Sequence, residues 1–289
     1  MPSPVRKAIF PVGGLGTRFL PATKSMPKEM LPVVDKPLIQ YAVEEAAEAG
    51  IEQFIFVTGR GKSAIEDHFD HAFELQSMLE NRSEKAALKV VKATVPAPGQ
   101  IAYTRQQEPL GLGHAVWCAR NFAGSEPVAV LLADDLIFSK PGCLKQMLNG
   151  YEQVGGNMMA IMEVPQNEIS SYGIVKPGKK RDPMMEILDL VEKPTESQAP
   201  SNLAIIGRYI LQPKIFEDLS SFELGAGGEI QLTDAIAKQI GIQPLNGFLF
   251  EGQRFDCGSK VGFLEANIAF ALDRPELKEP VIDFLKSYR

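Results

Sequence analysis

The sequence predicts an α/β fold built on a Rossmann-like central sheet, mixed but mainly parallel, with helices on both faces. Three observations predict it. Short apolar segments, typical of buried strands, alternate with segments of helical pattern through the first half of the chain. A glycine-rich turn directly follows the first apolar segment. In the second half several strand-like segments succeed one another, which adds strands to that sheet or a small additional β element beside it.

The first half alternates strands and helices. Residues 8–12 and 54–57 are apolar and predict the first two strands. Between them, residues 38–49 are rich in alanine and glutamate and predict a helix that ends at Gly50. Residues 128–132 are almost purely aliphatic and predict a central strand. Residues 63–73 predict an amphipathic helix, and the polar residues 74–88 predict an exposed helix or excursion. Two short strands are predicted at residues 90–91 and 101–103, and a further helix at 115–120.

The second half is richer in strands. Apolar and alternating patterns predict strands at residues 158–164, from residue 171, at 186–192 and at 203–210. A helix opens within residues 228–236, and a short strand precedes Asp256. Helices over residues 259–272 and 275–287 close the chain as packing or oligomer elements. Because no linker or repeat interrupts the pattern, we predict a single domain over residues 1–289.

Composition and charge argue against several protein classes. With 45% hydrophobic and 23% charged residues, the composition is that of an ordinary globular protein. The net charge of −6 and the pI of about 5.3 argue against a nucleic-acid-binding surface. We find no signal-peptide pattern and no apolar run of membrane-spanning length, and therefore expect a cytoplasmic protein without membrane contact. The three cysteines are expected as buried free thiols and the three histidines in structural roles.

The most informative segment is Gly13-Gly14-Leu15-Gly16-Thr17-Arg18, directly after the first strand. Its glycines let the backbone turn sharply and present N–H groups to a ligand. Lys24 and Lys28 follow Arg18, and the prolines among them prevent a regular helix. Proteins bind polyphosphates with such an N–H-rich loop flanked by cations. The same residues would also serve as an ordinary turn beside solvated lysines.

Two better-known phosphate loops match less well. A P-loop would end in Gly61-Lys62-Ser63, but Phe56 stands where its first glycine should be. A dinucleotide-binding fingerprint fits two of the glycines in the loop, but Phe19 replaces the third. Asp35 lies at a tolerable distance for the carboxylate that would bind a ribose. The dinucleotide alternative is therefore weakened but stays open.

Two further segments place polar groups at the ends of predicted elements. In residues 106–115, glycines allow a flat group to approach, and a glutamine amide can pair with the edge of a base. A polar strand-to-helix turn explains the same pattern. Asp134 and Asp135 follow the central strand, at the end where ligands bind in open α/β sheets. Carboxylates there suit Mg²⁺, or they cap the next helix.

Glu192-Lys193-Pro194 and Asp256 are weaker signals when taken alone. A glutamate can bind ligand hydroxyls and a lysine can hold a phosphate, but this triplet is also a common surface turn. Asp256 follows a short strand beside a glycine, where turn and N-cap acids are frequent.

Together these motifs resemble the signature of the sugar-1-phosphate nucleotidyltransferases. The resemblance rests on residues 13–18, 28–33 and 36–39, and residues 14–32 are most similar to its bacterial UTP–glucose-1-phosphate uridylyltransferase branch. It continues through most of the chain. It implies the nucleotide-diphospho-sugar transferase fold, with a nucleotide-binding part at about 1–135, a sugar-phosphate-binding part at about 136–258 and C-terminal helices at 259–289.

The resemblance also implies roles for the matching residues. It implies catalytic roles for Arg18, Lys28 and Lys193. It implies nucleotide binding by Gly13, Gly14, Leu15, Gly16, Gln106, Gly111 and Asp135. It implies sugar-phosphate binding by Gly173, Glu192 and Lys193, and a Mg²⁺ site at Asp134 and Asp256.

The reaction implied is UTP plus α-D-glucose 1-phosphate giving UDP-glucose plus diphosphate, by Mg²⁺-dependent in-line attack, in a homodimer or homotetramer. Three alternatives stay open. A sister enzyme could use another sugar or base, such as that of dTTP, because the Gln106 amide cannot by itself separate uracil from thymine. The second alternative is an NAD-dependent oxidoreductase. Against it, this chain lacks the third glycine of the dinucleotide fingerprint and an evident acid/base for hydride transfer. A noncatalytic nucleotide-sugar sensor would not need the motif charges, all of which are present.

Overall fold

The structure, a computed structural model, describes residues 2–288. Its strands are β1 Lys7–Val12, β2 Pro32–Val33, β3 Lys36–Pro37, β4 Gln53–Thr58, β5 Ile101–Arg105, β6 Val128–Leu131, β7 Asp135–Phe138, β8 Asn157–Glu163, β9 Gly173–Arg181, β10 Met184–Glu192, β11 Leu203–Leu211, β12 Leu245–Leu249 and β13 Gln253–Asp256. Its α-helices are α1 Leu38–Ala49, α2 Ser63–His68, α3 Phe73–Asn81, α4 Lys85–Ala93, α5 Leu112–Cys118, α6 Arg120–Ala123, α7 Cys143–Val154, α8 Ile215–Leu219, α9 Leu232–Ala237, α10 Lys260–Leu272 and α11 Pro275–Lys286.

Nine strands form one sheet in the order β5-β4-β1-β6-β11-β8-β12-β10-β9. The first four pair in parallel, as do β8 and β12, whereas β10 and β11 run antiparallel to their neighbours. Seven strands therefore share one direction, which confirms a mixed, mainly parallel sheet. The strands of the second half extend this sheet, and the ribbons β2–β3 and β7–β13 lie outside it.

Both faces of the sheet are covered by helices. Neighbouring residues of β1 point to opposite faces, so that Phe10 joins the apolar cluster of α1 and α7 while Ile9 joins that of α5, α8 and α9. This two-sided burial explains why β1 and β6 are nearly continuous apolar runs rather than alternating ones.

Most predicted elements are confirmed, one helix is shorter than predicted, and one predicted strand is wrong. Residues 38–49 form α1, and Gly50 ends it in the left-handed conformation with a φ of 100°. The helix predicted over residues 63–73 ends early, because Phe69 turns inward and packs 5.3 Å from the ring of Phe56. The strand predicted at residues 90–91 is wrong, since these valines lie in α4 among alanines and lysines that favour a helix.

The final elements agree with the sequence pattern. The helices α10 and α11 match the two predicted at the end of the chain. Between residues 2 and 288, every helix is too short or too polar to traverse a lipid bilayer.

Candidate active site

A cleft of about 810 Å³ opens beside the carboxyl end of β6 and the middle of its antiparallel neighbour β11. Seven predicted site residues line it: Arg18, Asp134, Asp135, Gly173, Glu192, Lys193 and Asp256. A second cavity of about 780 Å³, between β10 and the segment 240–246, contains none of the predicted residues. The two cavities are similar in size, so the chemistry of the lining residues identifies the candidate active site.

The glycine loop forms one end of the site. It leaves β1 at Val12 and continues through short 3-10 turns at Thr17–Phe19, Ala22–Lys24 and Lys28–Met30, as expected of a proline-interrupted loop. Gly16 has a φ of 66°, which favours glycine, and its carbonyl oxygen accepts a 2.7 Å hydrogen bond from the Thr23 hydroxyl. Leu15 is exposed at the tip of the loop.

The remaining predicted nucleotide residues lie against this loop. A methyl group placed on Gly13 would lie 3.0 Å from the Gln106 Oε1, and one on Gly14 would lie 3.9 Å from the Lys28 side chain. The Gln106 Nε2 donates a 3.0 Å hydrogen bond to the carbonyl oxygen of Gly111. The structure thus brings the loop, Gln106, Gly111 and Lys28 together.

Lys28 joins this loop to the cleft. Its Nζ lies 2.5 Å from Asp134 Oδ2. Burial alone would lower the pKa of Lys28, but the carboxylates of Asp134 and Glu29 outweigh it and raise the pKa. Burial alone would raise the pKa of Asp134, but the ammonium group of Lys28 outweighs it and lowers the pKa. Both groups are therefore charged at neutral pH.

A buried ion pair holds the turn that carries Lys28. Glu29 Oε2 lies 2.7 Å from Lys62 Nζ, and both side chains are buried. Burial raises the pKa of Glu29, although Lys62 opposes it. The ammonium group of Lys62 is engaged below the loop, so the structure gives it no role as a P-loop lysine.

The ribbon β7–β13 brings the two predicted metal carboxylates together. Its register sets Asp256 opposite Asp135, one residue from Asp134. A methyl group placed on Gly258 would lie 2.9 Å from Asp256 Oδ1, 3.2 Å from Asp134 Oδ2 and 3.4 Å from Arg18 Nη1. The glycine lets these three charged groups converge on one point.

Two carboxylates converging beside cations suit a divalent metal. Mg²⁺ takes one or two protein carboxylates and completes its shell with water and substrate phosphate oxygens, so this donor set fits it. Among residues 2–288, no cluster of three or more histidine, cysteine, aspartate or glutamate side chains offers an all-protein cage.

Asp135 lies in the wall of the cleft with its oxygens engaged by the protein. Its Oδ2 accepts a 2.6 Å hydrogen bond from the backbone N–H of Gly207, and its Oδ1 accepts a 2.6 Å hydrogen bond from Arg254 Nε. Arg254 in turn donates a 2.8 Å hydrogen bond to the Tyr172 hydroxyl. Burial raises the pKa of Asp135, against the opposing effect of Arg254. In this arrangement the Asp135 carboxylate holds the Arg254 side chain and the backbone of Gly207 in position.

Gly173, Glu192 and Lys193 form the other end of the cleft. Glu192 Oε2 accepts a 2.7 Å hydrogen bond from the Thr233 hydroxyl, and a methyl group on Gly173 would lie 3.0 Å from that oxygen. Lys193 adopts a φ of 47°, unusual for a residue with a side chain, while its backbone N–H donates to the carbonyl oxygen of Tyr172. Its Nζ lies 3.6 Å from Glu192 Oε1.

Sequence reasoning missed several residues that organise this site. Arg254 lies two positions before Asp256 in β13, and strand alternation alone would have placed both side chains on one face. Thr233 lies in a segment with clear helix start signals but no assigned role. The buried Arg208 donates to Glu45 and to the carbonyl oxygen of Leu132, just before the aspartates, and no local pattern indicated it.

Of the groups expected to be structural, all three cysteines are free thiols. Cys143 and Cys257 are buried as expected, whereas Cys118 is only partly buried. The His68 Nε2 lies 2.9 Å from Gln40 Oε1, and burial lowers the pKa of His68.

Known proteins resemble this chain along most of its length. Residues 7–271 match the model of the nucleotidyl transferase family. The chain is 52% identical to a UTP–glucose-1-phosphate uridylyltransferase of Bacillus subtilis over 283 residues, which cover 98% of this chain and 96% of that protein. A UDP-glucose pyrophosphorylase solved with UDP-glucose superposes with a TM-score of 0.86 at 46% identity, covering 94% of this chain and all of the other. The UTP-bound UGPase of Acinetobacter baumannii superposes with a TM-score of 0.91 at 40% identity, covering 99% of this chain and 100% of the other.

Proposed function

The chain belongs to the nucleotidyl transferase family, and from this premise we propose that it converts UTP and α-D-glucose 1-phosphate into UDP-glucose and diphosphate. One observation carries the proposal. The cleft brings a pair of carboxylates, Asp134 and Asp256, together with Arg18. Lys28 contacts Asp134, and Lys193 lies at the other end of the cleft. Such a set suits a reaction between two polyanions.

The chemistry needs no general base. A sugar 1-phosphate has a second pKa of about 6 and is mostly dianionic at neutral pH, so it is already a nucleophile. The barrier comes from bringing anions together, since two unit charges ~4 Å apart repel by about 4 kcal/mol at an effective dielectric of ~20. Fixed cations offset this repulsion and align the reacting groups.

The cations divide this work by position. Arg18, at the glycine loop, neutralises the β- and γ-phosphates and the departing diphosphate. Lys28 exchanges its contact with Asp134 for the α-phosphate region of the nucleotide. Lys193, at the other end of the cleft, holds the attacking phosphate in line. Direct displacement of this kind inverts the configuration at the α-phosphorus, which a chiral phosphorothioate substrate would report.

Enzymes of this family generally act with a divalent metal, and we propose Mg²⁺ here. Asp134 and Asp256 would hold it. When bound it supplies positive charge to the phosphate oxygens and polarises the phosphorus that is attacked.

The remaining residues recognise the substrates. The N–H groups of Gly13, Gly14, Leu15 and Gly16 receive the nucleotide, with Gln106 and Gly111 at the base and Asp135 close by. Glu192 and Gly173 contact the sugar. We further propose that residues 1–135, 136–258 and 259–289 serve as nucleotide-binding, sugar-phosphate-binding and assembly segments of one domain, in a homodimer or homotetramer.

The test is diphosphate release from purified protein with glucose 1-phosphate and each of UTP, dTTP, CTP, ATP and GTP, with Mg²⁺ and with EDTA. We expect fast, Mg²⁺-dependent release with UTP. A preference for dTTP would support the proposed reaction mechanism but assign the enzyme a different nucleotide substrate. Absence of release from folded protein with every nucleotide and several sugar 1-phosphates would favour a noncatalytic nucleotide-sugar sensor.

A further inference from the structure

We propose that His114 is a positioning residue that fixes the amide of Gln106 and thereby makes the base site select a pyrimidine with an N3–H group. The inference deepens the proposed function and rests on it, because it concerns the base of the nucleotide substrate.

The Gln106 amide has one orientation in the structure. Its Nε2 lies 3.0 Å from the carbonyl oxygen of Gly111 and 3.2 Å from Nδ1 of His114. A carbonyl oxygen only accepts hydrogen bonds, so the amide atom that faces it must be the nitrogen. One amide hydrogen then points at Gly111 and the other at the lone pair of His114 Nδ1. Both donors of Gln106 are engaged by the protein.

The backbone at Gly111 is equally constrained. Gly111 has a φ of 105°, and a methyl group there would lie 2.8 Å from Glu229 Cβ and 2.9 Å from the carbonyl oxygen of Ile230. Its own carbonyl oxygen also accepts from the N–H of Ala115 in the first turn of α5. The acceptor that fixes the Gln106 amide is therefore held in place from two sides.

The imidazole of His114 is held by its surroundings. It stacks on Trp117 with ring centroids 6.1 Å apart and meets Phe222 edge-on at 5.8 Å. Because Nδ1 accepts from Gln106, the ring hydrogen lies on Nε2, which is 3.9 Å from Cys118 Sγ. These contacts keep the Nδ1 lone pair directed at Gln106.

The consequence concerns the free oxygen of the amide. Gln106 Oε1 faces the glycine loop, 3.0 Å from the position of a methyl group on Gly13. Gln106 thus offers the nucleotide a hydrogen-bond acceptor and no donor. Uracil and thymine carry N3–H and satisfy this acceptor, whereas the N3 of cytosine is itself an acceptor and leaves two lone pairs opposed. A site built to bond a donor discriminates against a ligand that lacks it.

His114 adds to this selectivity beyond what Gly111 provides. A flipped amide, which would offer a donor to cytosine N3, sets its oxygen against both the Gly111 carbonyl oxygen and the Nδ1 lone pair of His114. Without Nδ1 only the first of these repulsions remains, so the flipped amide becomes less unfavourable. Loss of His114 should therefore reduce the preference in kcat/KM for UTP over CTP, rather than lower kcat/KM equally for all nucleotides.

Two substitutions of His114 separate these roles. In His114→Asn the side-chain oxygen can occupy the place of Nδ1 and accept from Gln106. In His114→Gln the polar atoms reach the place of Nε2, and the Nδ1 acceptor is lost. We expect His114→Gln to lower the ratio of kcat/KM for UTP over CTP about tenfold (about 1.4 kcal/mol), and His114→Asn to keep it within about threefold. Equal ratios in wild type and both variants would overturn the inference and leave His114 a packing residue.

The wild-type protein supplies a test that does not depend on the folding of variants. Binding of UTP, CTP and N3-methyl-UTP is measured by calorimetry without sugar phosphate. We expect CTP and N3-methyl-UTP each to bind at least about tenfold more weakly than UTP. Equal affinity for the three nucleotides would overturn the inference even in an active enzyme. If the protein binds UTP more tightly than CTP and N3-methyl-UTP but releases no diphosphate, the proposed reaction is refuted and the role of the Gln106 amide in base selection is retained.

Discussion

Two lysine–carboxylate pairs begin at neighbouring residues of one turn and differ in their surroundings. Lys28 pairs with Asp134 in the cleft, where the two side chains are 24% and 27% exposed. Glu29 pairs with Lys62 beneath the loop, where the side chains are 2% and 6% exposed. The same chemistry therefore serves two purposes. A partly exposed pair at the cleft can exchange its partner for a phosphate, whereas a buried pair can only hold the turn in place.

The two pairs should also fail in different ways. A partly exposed ion that loses its partner is solvated by water, so the penalty falls on function. A buried ion that loses its partner remains desolvated, so the penalty falls on stability. Glu29 Oε1 already lacks a hydrogen-bond partner, which makes this carboxylate strongly dependent on Lys62.

The largest expected effect is on catalysis, from Asp134→Asn. This change removes both the partner of Lys28 and one proposed metal ligand, so kcat/KM should fall at least about a thousandfold (about 4 kcal/mol) with little change in Tm. Diphosphate release and thermal unfolding measure the two quantities. Glu279→Gln, an exposed surface change on α11, is the matched control. Activity close to that of the control would remove Asp134 from the metal site.

The second effect is on stability, from Lys62→Met. It leaves the Glu29 carboxylate buried and unpaired, so the free energy of unfolding should fall by about 3 to 4 kcal/mol. Urea denaturation measures it, and kcat of the folded protein should change little. The double variant Glu29→Leu/Lys62→Met should recover most of the loss, because an apolar pair replaces the ionic one. If the single variant is as stable as wild type, Lys62 does not anchor the turn.

The third effect, from Lys28→Met, sharpens the contrast with Lys62→Met. Lys28 should be needed for phosphate neutralisation, so kcat/KM should fall about a hundredfold (about 2.7 kcal/mol). The free energy of unfolding should change by less than about 1 kcal/mol, because Asp134 remains accessible to water. Lys28→Arg retains the charge and should keep more activity. A stability loss as large as that of Lys62→Met would show that exposure does not separate the two roles.

The smallest effect concerns a still more exposed pair. Arg274 Nη1 lies 2.6 Å from Asp35 Oδ2, and this hydrogen bond lowers the pKa of Asp35 below its ordinary value of 3.8. A lowered carboxyl pKa contributes stability above pH 3.8 that is lost as the pH falls through the folded-state value. Asp35→Asn should thus reduce stability by about 0.5 kcal/mol or less at pH 7. The difference from wild type should shrink in acid and in high salt, and a constant difference across pH would argue against the ion pair.

Local patterns predicted the parts of the protein that depend on near neighbours. The glycine loop, the helix that ends at Gly50 and the aliphatic strand before Asp134 each follow from a few consecutive residues. The pairing of Glu29 with Lys62 spans 33 residues, and that of Asp135 with Arg254 spans 119. Such contacts depend on the order of strands in the sheet, which no single segment encodes. The α4 valines show the converse, since their β-branched side chains favour strands but the helix-forming residues around them prevail.

The register of β7 against β13 also has a consequence for the newly made protein. It sets Asp256 opposite Asp135, so the pair of carboxylates in the cleft draws one member from each of two distant stretches of the chain. Synthesis proceeds from the N-terminus, so the glycine loop and Asp134 are translated before the second carboxylate, which follows Asp134 by 122 residues (256 − 134). A nascent chain that has reached only Asp134 therefore lacks one of the two proposed metal ligands. Activity therefore begins only after translation has passed the second carboxylate.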